Sequence, residues 1–469
     1  MNKQAHWGVI GMGVMGTALA RNMGRKGISL ALYNRYVAGK EEGVARQQCH
    51  QFLELKAALP FEQLDAFVAS LQLPRKIICM LPAGAPTQSV LSELMDLLSP
   101  GDIVIDGGNA HFETTQKCAF EFESKQLLFI GMGVSGGKKG ALEGPSLMLG
   151  GSQEAYERVR LDLERIAAKN QNGQPCLDYF GEGGAGHFVK MIHNGIEYGE
   201  MQLLAEVYEW MRCQESPSWN LFGKWQKGSS KSYLLGISES LLTYKSKAGL
   251  LIDEVEDVSL HKGTGLWSSQ SAITLGQPAS VLMAALHARF TSVQKDMRVG
   301  LAQQEPTEPI QGPILTGDTL KKAYDLARWI NHHQGFAILE KAKAAYGWSF
   351  SLDKVAHTWT GGCIIQSQLM QECVSIFDQY SSLIASTPFQ KSCRENETAL
   401  MEVLQWGLKV RKPLPAFSAA WQYQMAMHQS DSTGNFIQSL RDYFGAHGLE
   451  WKSGSPQRGS HGPWHRQNS

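Results

Sequence analysis

The chain contains no run of about 18 apolar residues, so no membrane-spanning helix is expected. Nor does it carry an excess of charge: lysine plus arginine and aspartate plus glutamate both number 44. A nucleic-acid binder carries a basic surplus. Its absence argues against that class and leaves any anion site to a local cluster. Cysteine is sparse, eight in 469 residues, with no CxxC pair and no zinc-type histidine spacing. That usage fits reduced thiols in a cytoplasmic protein, not a disulfide framework. The apolar segment at residues 7–10 is too short for the core of a signal peptide and runs straight into glycines. What is present is 43% hydrophobic residues and enough length for about three domains.

The first third alternates short apolar runs with helical patterns. The runs are HWGVI, ISLALYN, RKIICML, DIVID and LLFI, and such alternation predicts βαβ units and a parallel sheet. Four runs lead into glycine-bearing loops: Gly11-Met12-Gly13, Pro82-Ala83-Gly84, Gly107-Gly108-Asn109 and Gly131-Met132-Gly133. Ligands of open parallel sheets bind beyond the carboxyl ends of the strands, so the four loops predict one crevice. From about Gly181 long helical patterns take over, as at 187–214, 278–302, 318–346 and 362–383. The last thirty residues are too polar to pack a core of their own.

Gly11-x-Gly13-x-x-Gly16 follows the first strand and opens an amphipathic segment. Gly11 permits a tight turn, Gly13 lets backbone approach a pyrophosphate, and Gly16 allows close helix–strand packing. The second strand ends in Tyr33-Asn34-Arg35, with no acid directly there to accept from a ribose 2′-OH. Arg35 could instead pair with a 2′-phosphate, which favours NADP over NAD. A second glycine motif, residues 131–137, has no amphipathic helix directly after it. It reads either as a nest of N–H groups with the Ser135 hydroxyl, suited to a carboxylate, or as a structural turn.

The richest stretch is GHFVKMIHNGIEY, residues 186–198. Helical spacing puts Lys190, His193, Asn194, Glu197 and Tyr198 on one face. The stripe spans about 10–12 Å, the length of a six-carbon sugar chain. Apolar residues flank it, so the helix is expected to be buried, and buried charged groups are rare unless paired or liganded. A solvated helix face is the alternative. Lys262-Gly263-Thr264 and Arg289 add local cations, each of which alone reads as surface charge. Trp267 and Trp359 read as packing residues.

Taken together, these pieces resemble the 6-phosphogluconate dehydrogenase family, the decarboxylating enzymes of the pentose phosphate pathway and gluconate utilization. The most specific segments are DIVIDGGN, GVSGG, GEGGAGHFVKMIHNGIEYGEMQL, KGTG, GGCII, PAFSAA and RDYFGAH. The resemblance implies a Rossmann-type α/β domain over residues 1–178 and a large all-α domain over 179–434. A C-terminal tail over 435–469 would reach the partner of a homodimer. Lys190 and Glu197 would be the catalytic base and acid, with no metal. Asn109, Ser135, Gly136, Gly137, His193 and Asn194 would hold the substrate's carboxylate and hydroxyls. Tyr198, Lys262, Thr264, Arg289 and Arg441 would hold its phosphate, and His447 would close the site. NADP would lie against Gly11, Met12, Gly13, Val14, Met15, Gly16, Asn34, Arg35, Tyr36, Leu81, Ala83 and Asn109.

Several positions depart from the family's pattern. Pro82 replaces a lysine, Tyr36 a Ser or Thr, and Lys138-Lys139 an acidic pair. Leu266 replaces a lysine, Thr360 and Gln366 replace arginines, and Gly448 replaces a threonine. They mark a divergent member and remove no catalytic group. Two other functions compete. A dehydrogenase for another hydroxy acid would have no use for Lys262, Arg289 and Arg441. A silent paralogue that senses nucleotide or sugar phosphate would not need the Lys190–Glu197 pair.

Overall fold

Near-continuous apolar runs suit strands covered on both faces, and the five runs become strands of one sheet. The computed structural model describes residues 4–247, 249–260, 263–304 and 312–467. Its strands are β1 (Trp7–Ile10), β2 (Leu30–Tyr33), β3 (Leu59–Phe61), β4 (Lys76–Cys79), β5 (Ile103–Asp106), β6 (Leu128–Ser135), β7 (Ser146–Gly151) and β8 (Leu177–Tyr179). The sheet order is β3-β2-β1-β4-β5-β6-β7-β8. Among the described strands only the β6–β7 pair is antiparallel, pairing Ser135 with Ser146. Side chains alternate between the two faces. Trp7, Val9, Leu30 and Leu32 join one buried cluster, while Ile10, Ala31 and Tyr33 join the other.

Three strands have no counterpart among the apolar runs. β3 is three residues with a proline at the sheet edge, β7 ends in two glycines, and β8 has only three residues. None offers a long apolar stretch. A second correction concerns residues 131–137. Gly131, Met132 and Gly133 lie inside strand β6 and form no loop, and the chain turns only at Gly136, before a seven-residue helix, Gly137–Glu143, that lacks an amphipathic stripe.

Helices dominate after residue 185. The 28-residue helix Ala185–Arg212 is planted on the sheet through glycine: a Cβ on Gly186 would lie 2.4 Å from the Gly131 carbonyl oxygen and 2.5 Å from that of Met148. It also packs along the 30-residue helix Gly317–Tyr346. There a Cβ on Gly335 would meet Ile196 Cδ1 at 2.4 Å, so the two backbones approach closely. A buried pair links these helices, with Arg328 Nε donating to both Glu200 oxygens at 2.9 and 3.0 Å. Among the described residues no helix is long and apolar enough to cross a membrane.

The chain divides into two compact units, Met1–Ala420 and Trp421–Ser469. The second has little apolar core and organises around a carboxylate instead. Asp442, on helix Gly434–Gly445, is fully buried. Its Oδ1 accepts from Gly448 N–H at 2.9 Å and pairs with His461 Nδ1 at 2.8 Å. Its Oδ2 accepts from Gly462 N–H at 2.9 Å and Trp464 Nε1 at 2.8 Å. These donors hold its carboxyl well below the ordinary range despite burial. Gly448 adopts φ +82, which glycine accommodates without strain.

Candidate active site

The carboxyl ends of β1, β4 and β5 come together at one edge, where strand order reverses around β1. Gly11 turns with φ +91, and a Cβ there would sit 2.6 Å from the Met80 carbonyl oxygen and 3.0 Å from Leu81. A Cβ on Gly16 would lie 1.9 Å from the Gly11 carbonyl oxygen, so the helix Val14–Arg25 seats directly on the turn. Gly13, by contrast, would meet nothing within 4 Å. Backbone there is open to an incoming pyrophosphate, and the helix start has no side-chain cap to occupy its N–H groups. Met12 is buried, Met15 is half-buried, and Val14 and Tyr36 are 65% and 54% exposed. Asn34 Oδ1 accepts from Met12 N–H at 3.0 Å, and Arg35 stands beside it, paired with Glu41 at 3.1 Å. Ala83 and Asn109 are exposed in the loops after β4 and β5. An open turn, free N–H groups and two side-chain donors fit a phosphorylated dinucleotide.

At the end of β6 the chain passes into Gly136 and Gly137, with φ of +105 and +59. A Cβ on Gly136 would sit 2.4 Å from the Gly362 carbonyl oxygen, so the GGCII segment presses against this turn. The Ser135 hydroxyl lies 3.0 Å from His193 Nε2, with both residues buried. One turn back on the long helix, Lys190 Nζ donates to Asn194 Oδ1 at 2.7 Å and lies 3.2 Å from His193 Nδ1. Glu197 Oε2 is 3.7 Å from the same His193 nitrogen. Trp359 is buried with its ring edge-on to His193 at 5.7 Å.

Burial sets the charges here. Desolvation pushes the Lys190 ammonium below the usual lysine range, opposed by Glu197. It pushes the Glu197 carboxyl up, opposed by Lys190 and Arg289. His193 is driven well below its ordinary value by burial and then by Lys190. An amine shifted towards its neutral form and a carboxyl shifted towards its protonated form, on one helix face, can take one proton and give another.

A further group lies around Tyr198. The Arg289 guanidinium stacks over its ring at 3.9 Å, and a Cβ on Gly265 would meet that ring at 2.3 Å. Thr264 is buried at the start of helix Thr264–Thr274. Arg289 also donates to Ser259 Oγ at 2.9 Å. Leu266, one of the departures, packs against Tyr198 with Ala285 and Leu286. Lys262 lies outside the described residues. Arg441 and His447 are exposed in the second unit, where Arg441 donates to Gln438 at 3.2 Å. Neither Glu41 nor the backbone of Gly362 stands out in the sequence. Both are brought in by loops whose path no periodicity marks.

Two family descriptions match. Residues 6–181 match the NAD binding domain of 6-phosphogluconate dehydrogenase, and residues 186–464 match the 6-phosphogluconate dehydrogenase C-terminal domain. A decarboxylating 6-phosphogluconate dehydrogenase of Lactococcus lactis subsp. cremoris is 38% identical over 465 residues, covering 95% of this chain and 96% of its own. That of Escherichia coli K12 is 37% identical over 458 residues with the same coverage. The solved Plasmodium falciparum 6-phosphogluconate dehydrogenase, described in its apo form and in complex with NADP+ and with 6-phosphogluconate, superposes with a TM-score of 0.91. It is 30% identical and covers 98% of this chain and 100% of its own. Nearly the whole length is thus shared in sequence and in fold, and the chain belongs to the decarboxylating 6-phosphogluconate dehydrogenase family.

Proposed function

We propose that this chain oxidises 6-phospho-D-gluconate with NADP and decarboxylates it to D-ribulose 5-phosphate, without a metal, in the cytoplasm. The observation that carries this reading is the cluster of buried Lys190, His193 and Asn194 with half-buried Glu197, where desolvation lowers the lysine's pKa and raises the glutamate's. The bound dinucleotide supplies the hydride acceptor. Lys190 takes the proton of the C3 hydroxyl as hydride leaves C3. The product is a β-keto acid, and its carbonyl can accept the electrons released with carbon dioxide. Lys190, now an ammonium, protonates that oxygen, which is the role a divalent metal plays in other decarboxylating dehydrogenases. Glu197 then delivers a proton to C1 of the enediol while the enol hydroxyl gives its proton back to Lys190, which leaves the ketone.

In this reading residues 1–178 hold the cofactor and 179–434 the sugar acid. Ser135, Gly136, Gly137, His193, Asn194 and Asn109 take its carboxylate and hydroxyls. Tyr198, Lys262, Thr264 and Arg289 take its phosphate. Residues 435–469 bring Arg441 and His447 into the partner's site of a homodimer. One assay tests the whole proposal: carbon dioxide release and NADPH absorbance on adding 6-phosphogluconate, with EDTA present throughout. Equal molar appearance of both is expected. NADPH without carbon dioxide would leave a plain hydroxyacid dehydrogenase, and neither would leave a binding protein.

A further inference from the structure

The loop after β2 folds back on the strand that precedes it. Val37 and Glu41 form an antiparallel bridge, Val37 N–H donating to the Glu41 carbonyl at 2.9 Å and Glu41 N–H to that of Val37 at 2.8 Å. Gly39, at φ +71, makes the turn, and its N–H donates to Glu42 Oε1 at 2.6 Å. This small hairpin returns the Glu41 carboxylate to the end of β2. There it takes two donors that also face the expected place of a 2′-phosphate. Asn34 Nδ2 donates to Oε2 at 2.9 Å. Arg35 donates to Oε1 from Nη2 at 3.1 Å and from Nε at 3.4 Å. Because Asn34 Oδ1 accepts from Met12 N–H, one amide ties the glycine turn to Glu41. The Arg35 and Glu41 side chains are 63% and 36% exposed, so water can replace either partner and the pair can open.

We propose that Glu41 sets cofactor preference by competing with the 2′-phosphate of NADP for Asn34 and Arg35, which narrows the preference for NADP over NAD. The inference rests on the reading of Arg35 as the phosphate's partner. Two anions cannot both neutralise one guanidinium without repelling each other. The ribose of NAD presents hydroxyls instead, and a hydroxyl can donate to a carboxylate near this strand end, as in NAD-binding relatives of the fold. The same carboxylate therefore opposes one cofactor and accepts from the other. No acid stands directly at the strand end in the sequence, because Glu41 arrives there through a loop.

Titration of the full-length protein with NADP and with NAD, followed by fluorescence, tests this in Glu41→Gln, Arg35→Ala and the double variant. Binding is read directly, without turnover. Glu41→Gln should tighten NADP about three- to fivefold, the range of an exposed ion pair, and leave NAD unchanged or weaker. Arg35→Ala should lower the NADP/NAD preference, and in that background the effect of Glu41→Gln on NADP should shrink. If Arg35→Ala lowers the preference but Glu41→Gln leaves it unchanged, competition by Glu41 is overturned and the Arg35 reading stands. An equal effect of Glu41→Gln in both backgrounds also overturns it, because the two residues then act independently. An unchanged preference in Arg35→Ala overturns both.

Discussion

A Cβ placed on Gly133 would lie 2.3 Å from Cβ of Lys190 and 2.9 Å from its Cγ. Strand β6 is bare of side chains where the lysine crosses it, and that gap sets the lysine's depth beside Ser135 and His193. Gly133→Ala should therefore push the helix or the lysine outward. Overpacking of this kind costs about 1–3 kcal/mol, read as a lower urea midpoint. The kcat should fall more than NADP affinity, since the glycine turn after β1 is untouched.

Lys190→Ala should abolish hydride transfer, measured as single-turnover NADPH formation, while NADP binds within about twofold of the parent. Loss of a positioned general base removes roughly 10²–10⁴ in rate. Near-normal turnover in this variant would take Lys190 out of the mechanism.

Glu197→Gln should act later. Glutamine keeps the shape beside His193 but carries no acidic proton, so C1 of the enediol goes unprotonated. A first turnover of NADPH is expected at near-parental rate, followed by slow release while the 3-keto or enediol species accumulates. Quenched-flow analysis distinguishes the two variants. Failure of both at the same step would reverse or void the acid and base assignments.

Burial of Glu206 gives a pH signature in stability. Desolvation lifts its carboxyl from the ordinary 4.5 to about 7, although Ala416 N–H and Phe417 N–H both donate to it, at 2.8 and 3.1 Å. The folded state thus binds this proton more tightly than the unfolded one. Its contribution is fully present below pH 4.5 and is lost as pH rises through about 7. Urea midpoints should show this fall in the parent protein and a flatter profile across that window in Glu206→Gln.

Complementation tests the tail. If Arg441 completes the partner's site, Lys190→Ala and Arg441→Ala lesions segregate in a mixed dimer, leaving one site intact. Random mixing makes half the dimers mixed, so about a quarter of all sites become wild type. Co-refolded variants should recover near a quarter of parental activity. Activity unchanged from that of the separate mutants, with subunit exchange demonstrated, would exclude a shared site.

Much of the fold and of the candidate site is legible in the sequence, and the reason is local. A glycine turn between a strand and a helix announces itself by spacing, and so does a stripe of Lys190, His193, Asn194, Glu197 and Tyr198 on an otherwise apolar helix. Each depends on residues within two or three turns of one another. The short strands β3, β7 and β8 are hidden because their pairing, not their composition, makes them strands. The helix Gly137–Glu143 is hidden because it packs without a stripe. Contacts over long sequence separations leave no local signal at all. Ser135 against His193, Gly133 against Lys190, and Gly362 against Gly136 join residues 58, 57 and 226 positions apart, as their numbering gives. The order of amino acids alone dictates which chemical groups the chain carries and which helix face presents them. Their proton affinities follow from the fold, because only packing against the sheet and neighbouring helices removes the water whose loss lowers the Lys190 pKa and raises that of Glu197.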